Sequence, residues 1–332
     1  MQAPRPTANS YATIVDLMTP SIPADVDPAE FNSLNEEFYR ADPAEVIEHR
    51  LWMLAAFMND ESMTAGLPKE LALSRDEVPA QKERIQFAIL ESTLILHQAA
   101  ETFLRLCLAH WSDAPCPWFE MAKLRQPRVF PKKVAHIAGS LDSDETIDEL
   151  LRIVSWSSDQ SVVEAAVDWG REGSWQQHRE GLREFIRHCC TVIRDGAEVY
   201  NAGKHGLAIL PSEKGMSVGD GELISVRGPS LTVIERHVQD GDPRWAKVTH
   251  WVKYQESIAI TTLIASAVRS LWECGKNRRL GGGDATRLRI FNKEELEEIR
   301  LFDTDFGFHV STMSEVLFDV DHPMFIPTRS NT

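Results

Sequence analysis

Positive charge is in short supply: 35 lysines and arginines face 50 aspartates and glutamates, a formal charge of −15 over 332 residues. Affinity for nucleic acid rests largely on neutralising phosphates, so this balance excludes indiscriminate polyanion binding and confines any such contact to a local basic pocket. Cysteine is scarce too. Cys107, Cys116, Cys189, Cys190 and Cys274 are odd in number, two are adjacent, and none has C-x-x-C spacing. Neither a disulfide framework nor a zinc site fits, and the expectation is reduced core thiols in a cytoplasmic protein. Long apolar runs are missing. The stretch Ile258–Val268 is broken by Thr261, Thr262 and Ser266, and the first seventeen residues hold no signal-peptide core, so no membrane partner is expected. No H-E-x-x-H occurs. Glu45/His49 and Glu184/His188 are four apart where a di-iron bundle needs Glu-x-x-His, so neither metal nor cofactor is expected.

What is present is ordinary globular material, with 43% hydrophobic and 26% charged residues in 37.5 kDa, enough to bury a large core. The spacing of its apolar residues predicts a mainly α fold, a multi-helix bundle with a small antiparallel β-hairpin insertion. Residues 1–26 read as an N-terminal arm and 27–206 as the helical bundle. Residues 207–238 form the β insertion, 239–280 a helix completing the bundle, and 281–332 an irregular C-terminal segment with one short acidic helix at 291–300. Asp27-Pro-Ala-Glu30 and Asp42-Pro-Ala-Glu45 are two nearly identical helix starts, with Asp to cap free N–H groups and Pro at the first helical position. The strongest helix spans about 80–109, apolar almost all round and therefore central. Others are expected at 131–139, 144–156, 160–170, 175–203 and 249–274. Within the insertion, Glu222–Val226 and Leu231–His237 are β-rich, and Arg227-Gly-Pro-Ser230 offers a turn between them. Trp169, Trp175, Trp245, Trp251 and Trp272 are scattered among few cations and read as core or interface anchors.

Two helix ends gather polar chemistry. Glu101 and Arg105 are four apart on a stripe that begins at His97, so the carboxylate can hold the guanidinium fixed. His110 lies about 140° around an ideal helix from Arg105 and shares that face only where the helix frays. A histidine near neutrality can move a proton at a 2′-hydroxyl or leaving oxygen while arginine steadies a phosphate, which is metal-free RNA cleavage. The other reading is a structural Glu–Arg pair beside a histidine that caps a helix. At the second end Asn201 and His205 project together, Lys204 adds a cation, and Gly206 lets the backbone leave in a left-handed conformation. Those residues also suit a well-made C-terminus. Arg278 and Arg279, in the basic glycine-rich stretch 276–283, could grip a phosphate or sit in a solvated loop; neither a Walker loop nor a dinucleotide fingerprint is present. Asp305-Phe-Gly307 matches the kinase metal-binding triplet without its companions.

Arg105–His110 resembles the R-x4-6-H pattern of HEPN domains, compact helical bundles that include metal-independent ribonucleases. Asn201-x-x-x-His205-Gly206 is similar to the end of the same motif, with Tyr200 where the family has arginine and Leu106 where it usually has a polar residue. The resemblance covers roughly residues 80–110 and 175–206. It implies an RNA partner, a homodimer with paired sites, and a bacterial defence or toxin role, with Arg105, His110, Glu101 and His205 catalytic and Asn201, Lys204, Arg278 and Arg279 binding. The alternative is a non-catalytic helical interaction or scaffold subunit of a larger assembly, and many relatives of the family are such partners.

Overall fold

The computed structural model describes residues 27, 29–59, 80–111, 114–155, 157–166, 173–206, 209–218, 224–239, 242–281, 288–301 and 312–319. The expected arm at 1–26, Trp169 and the Asp305-Phe-Gly307 triplet lie outside them. The elements run α1 (Glu30–Phe38), α2 (Pro43–Asn59), α3 (Gln81–His110), α4 (Pro117–Lys123), α5 (Val129–Ser140), α6 (Asp144–Val154), α7 (Gln160–Ala166), α8 (Trp175–Asp195) and α9 (Ala197–Lys204). Strands β1 (Ile209–Val218), β2 (Ile224–Gln239) and β3 (Asp242–Trp251) follow, then α10 (Tyr254–Leu280), α11 (Lys293–Leu301) and β4 (Thr312–Asp319). The fold is mainly α with one small antiparallel sheet.

The chain forms two compact units, each assembled from separate stretches: one from 1–49, 98–195 and 260–299, the other from 50–97, 196–259 and 300–332. In the first, the twin aspartates begin their helices as the sequence predicts. Asp27 accepts from the Ala29 N–H at 2.9 Å and Asp42 from the Ala44 N–H at 2.8 Å, satisfying donors that a helix start leaves open. Helix α8 turns Trp175, His178, Leu182, Phe185, Ile186, Cys189 and Ile193 inward at helical spacing, and packs on α5 and α6. Phe185 meets Phe103 of α3 edge-on at 5.0 Å, an arrangement favoured by the ring quadrupoles. All five cysteines are free and buried in this unit, and burial pushes the thiols of Cys190 and Cys274 up to about 12, so neither is a thiolate nucleophile near neutrality.

The second unit sets α9 on β1 and β2. Ile89, Val199 and Leu231 form one buried cluster, and Val233, Ala246 and Val248 another. The sheet has the order β1-β2-β3-β4 and is antiparallel throughout. It is larger than the expected hairpin for two reasons. First, β2 runs straight through Arg227-Gly-Pro-Ser230, where a turn was expected. Its pairing with β3 ends at Ser230↔Trp251, so Pro229, which lacks an N–H, falls just beyond the partner strand, and its carbonyl accepts from the Val252 N–H at 2.9 Å. Second, β3 occupies residues read as linker and helix start, and β4 comes from the segment read as irregular. Helix α10 accordingly begins at Tyr254 rather than near Thr249.

Candidate functional site

The Glu101–Arg105 stripe forms as predicted. Arg105 Nε donates to Glu101 Oε1 at 2.8 Å, and its Nη2 lies 2.6 Å from the same oxygen. The guanidinium is held from two further sides: Nη1 donates to the Leu124 carbonyl at 2.5 Å, and the Phe130 ring lies 4.2 Å below its carbon. The guanidinium is thus braced at Nε, Nη1 and Nη2, which joins the end of α4 and the start of α5 to α3. Three of its five N–H donors are thereby committed within the protein.

His110 does not join the stripe. Fraying was the condition for that, and α3 is helical through His110 instead. Only 2% of the residue is exposed. Its Nδ1 sits 2.8 Å from the Leu106 carbonyl oxygen one turn back, and its Nε2 sits 2.6 Å from the Tyr39 hydroxyl. A carbonyl can only accept, so Nδ1 carries the proton, Nε2 is the acceptor, and Tyr39 donates. Burial pushes the Tyr39 hydroxyl up, with Arg279 and Arg278 pulling it the other way, so it stays protonated and able to donate. The third member is Gly275 of α10: a Cβ there would fall 2.5 Å from His110 Nε2 and 2.7 Å from the Tyr39 oxygen. Only glycine lets the α10 backbone come this close.

Asn201, Lys204 and His205 belong to the other unit, and all three are exposed at the end of α9. The terminus closes as the sequence predicts, with the His205 N–H on the Asn201 carbonyl at 3.3 Å, the Gly206 N–H on Gly203 at 2.9 Å, and Gly206 at φ +64°. Tyr200 stacks on His97, centroids 3.9 Å apart and planes 7° apart, and Lys204 Nζ stands 5.8 Å from the tyrosine ring. In the glycine-rich stretch, Arg278 donates to the Arg152 carbonyl at 2.6 Å, tying α10 to α6.

Two groupings had no signal in the sequence. Tyr39 and Gly275 reach His110 from distant chain positions, and no local spacing announces them. The same holds for His178, 2% exposed, whose Nδ1 accepts the Phe291 N–H at 3.0 Å and whose Nε2 lies 2.9 Å from Ser155 Oγ. Burial pushes this imidazole down to about 4. Among the described residues no three His, Cys, Asp or Glu side chains converge as a metal site would require, and none of the helices there is long and apolar enough to cross a membrane. No family model, curated protein or solved structure matches the chain, so the HEPN resemblance rests on its two short motifs alone.

Proposed function

We propose that this chain is a non-catalytic helical interaction protein, a subunit of a larger assembly, and that Arg105 and His110 are part of its framework. The observation that carries this reading is the state of His110: it is buried, and both ring nitrogens are already hydrogen-bonded within the protein. A general acid or base must reach the proton it moves, directly or through one water. The threefold hold on Arg105 supports the same reading. So does an exposed part of one sheet face. The register places Leu210, Ile234 and Trp245 on one face of three neighbouring strands, with 67%, 56% and 40% of each residue exposed. Apolar groups grouped on a strand surface are what a protein partner covers.

The deciding experiment is incubation of the purified protein with RNA in EDTA. Intact RNA is expected with the wild type and with His110→Ala alike; cleavage that persists in EDTA and vanishes in His110→Ala overturns the proposal. The exposed Asn201, Lys204 and His205 favour one narrower RNA reading, an anion contact without chemistry, and filter binding that falls in Lys204→Ala is its test.

A further inference from the structure

The first unit holds an open cleft of about 840 Å³, within the size range of small-molecule sites. One wall is a single face of α10: Ser266, Arg269, Ser270 and Glu273 stand at helical spacing along it. Facing residues include Glu48 of α2, Arg289, and Glu295 of α11. The charges on these walls do not balance. Arg269 is already matched twice, by Asp42 at 3.1 Å and by Glu48 at 2.7 Å, and these carboxylates hold it protonated. Arg289 is matched by Glu295, and its backbone N–H is fixed on Ser270 Oγ at 2.9 Å. Glu273 makes no ion pair among the described residues. Both cations of the lining are therefore spoken for, and one half-buried carboxylate is left over.

We infer that this cleft binds a small organic cation, an ammonium or guanidinium compound whose charge pairs with Glu273 and whose remaining donors meet the Ser266 hydroxyl. The sign follows from the accounting. Arg269 and Arg289 already carry carboxylate partners and Glu273 carries none, so a cation finds an acceptor with nothing to displace. A partly enclosed wall also strengthens the pairing relative to open water, because fewer solvent dipoles screen it.

The test is isothermal titration of the full chain with spermidine and with L-argininamide, using sodium chloride of equal ionic strength and L-glutamate as controls. Saturable binding of at least one cation is expected, with no heat from glutamate. In Glu273→Gln, which keeps the shape of the side chain, affinity should fall about tenfold or more, as the loss of a charge-assisted hydrogen bond predicts. Ser266→Leu, which fills the cleft from a different position, should weaken it as well, and the unchanged far-ultraviolet dichroism of both variants would show that they fold. Absence of saturable binding by either cation to the wild type, or equal affinity in Glu273→Gln, overturns the inference.

Discussion

The hydroxyl of Tyr39 donates to Nε2 of His110 at 2.6 Å, joining residues 71 positions apart in a site closed to solvent. Because Nδ1 of the same ring is committed to the Leu106 carbonyl, the tautomer is fixed, with Nε2 the acceptor and the tyrosine its donor. Tyr39→Phe keeps the ring and removes this donor from a buried acceptor. The expected loss is about 1–3 kcal/mol of unfolding free energy, read from urea denaturation at pH 7; a loss below measurement error would mean that the pair holds nothing together.

Gly275→Ala tests the close approach from the other side. Alanine ordinarily favours a helix interior by about 1 kcal/mol over glycine. Here the added carbon would meet the tip of an imidazole and a phenol oxygen, both anchored, so a net destabilisation of about 1–3 kcal/mol is expected. Combined with Tyr39→Phe, which removes one of the two colliding atoms, the cost should be less than the sum of the single changes. Strict additivity in the cycle would argue against a shared site.

His178 makes stability depend on pH. Its folded value, about 4, lies below the ordinary 6.5 because burial disfavours the imidazolium, and protonating Nδ1 would also break the bond from the Phe291 N–H. Folding therefore favours the neutral ring. This contribution is complete above about pH 6.5 and is lost as pH falls toward 4, a difference of about 3 kcal/mol at most. Urea midpoints taken from pH 7 to pH 4 should fall more steeply in the wild type than in His178→Asn, and parallel curves would sink the assignment.

Arg105 should behave as a brace. Arg105→Lys retains the charge but loses the fork that serves Glu101 and Leu124 together. A destabilisation of about 1–2 kcal/mol is expected, because a partner carbonyl is left without its donor. The coupling between Glu101 and Arg105 in a double-mutant cycle should be smaller, below about 1 kcal/mol, since both groups are partly solvated.

For the sheet face the expectation is reversed. Ile234→Lys and Trp245→Asp change side chains that meet solvent, so stability should move by about 0.5 kcal/mol or less. Association, with a second copy or with another protein, should be lost in light scattering at matched concentrations. If both variants assemble like the wild type, the face is not the interface.

Local chemistry was legible wherever a residue acts on its own helix. The twin aspartate caps, the Glu101–Arg105 pair and the left-handed Gly206 all follow from spacing within a few turns. Features that depend on which elements meet were not. Gly275 looks like an unremarkable helix glycine until His110 and Tyr39 arrive beside it. Arg227-Gly-Pro-Ser230 reads as a turn because proline and glycine usually end a strand, and only the length of β3 reveals that Pro229 falls where no donor is needed. The cleft beside α10 was invisible for the same reason: Arg269 and Arg289 lie in one basic region of sequence, but their neutralising carboxylates come from residues 42, 48 and 295.

Both units are discontinuous, and that has a consequence for synthesis. Gly275, Leu271 and Phe291 complete a core whose earlier walls are drawn from the first two hundred residues. A nascent chain leaving the ribosome therefore carries unfinished apolar surfaces on α3 and α8 until residues 260–299 have emerged. Stalled or prematurely ended translation products should accordingly be sticky, and early α-helical intermediates should need shielding by a chaperone until the late helix arrives.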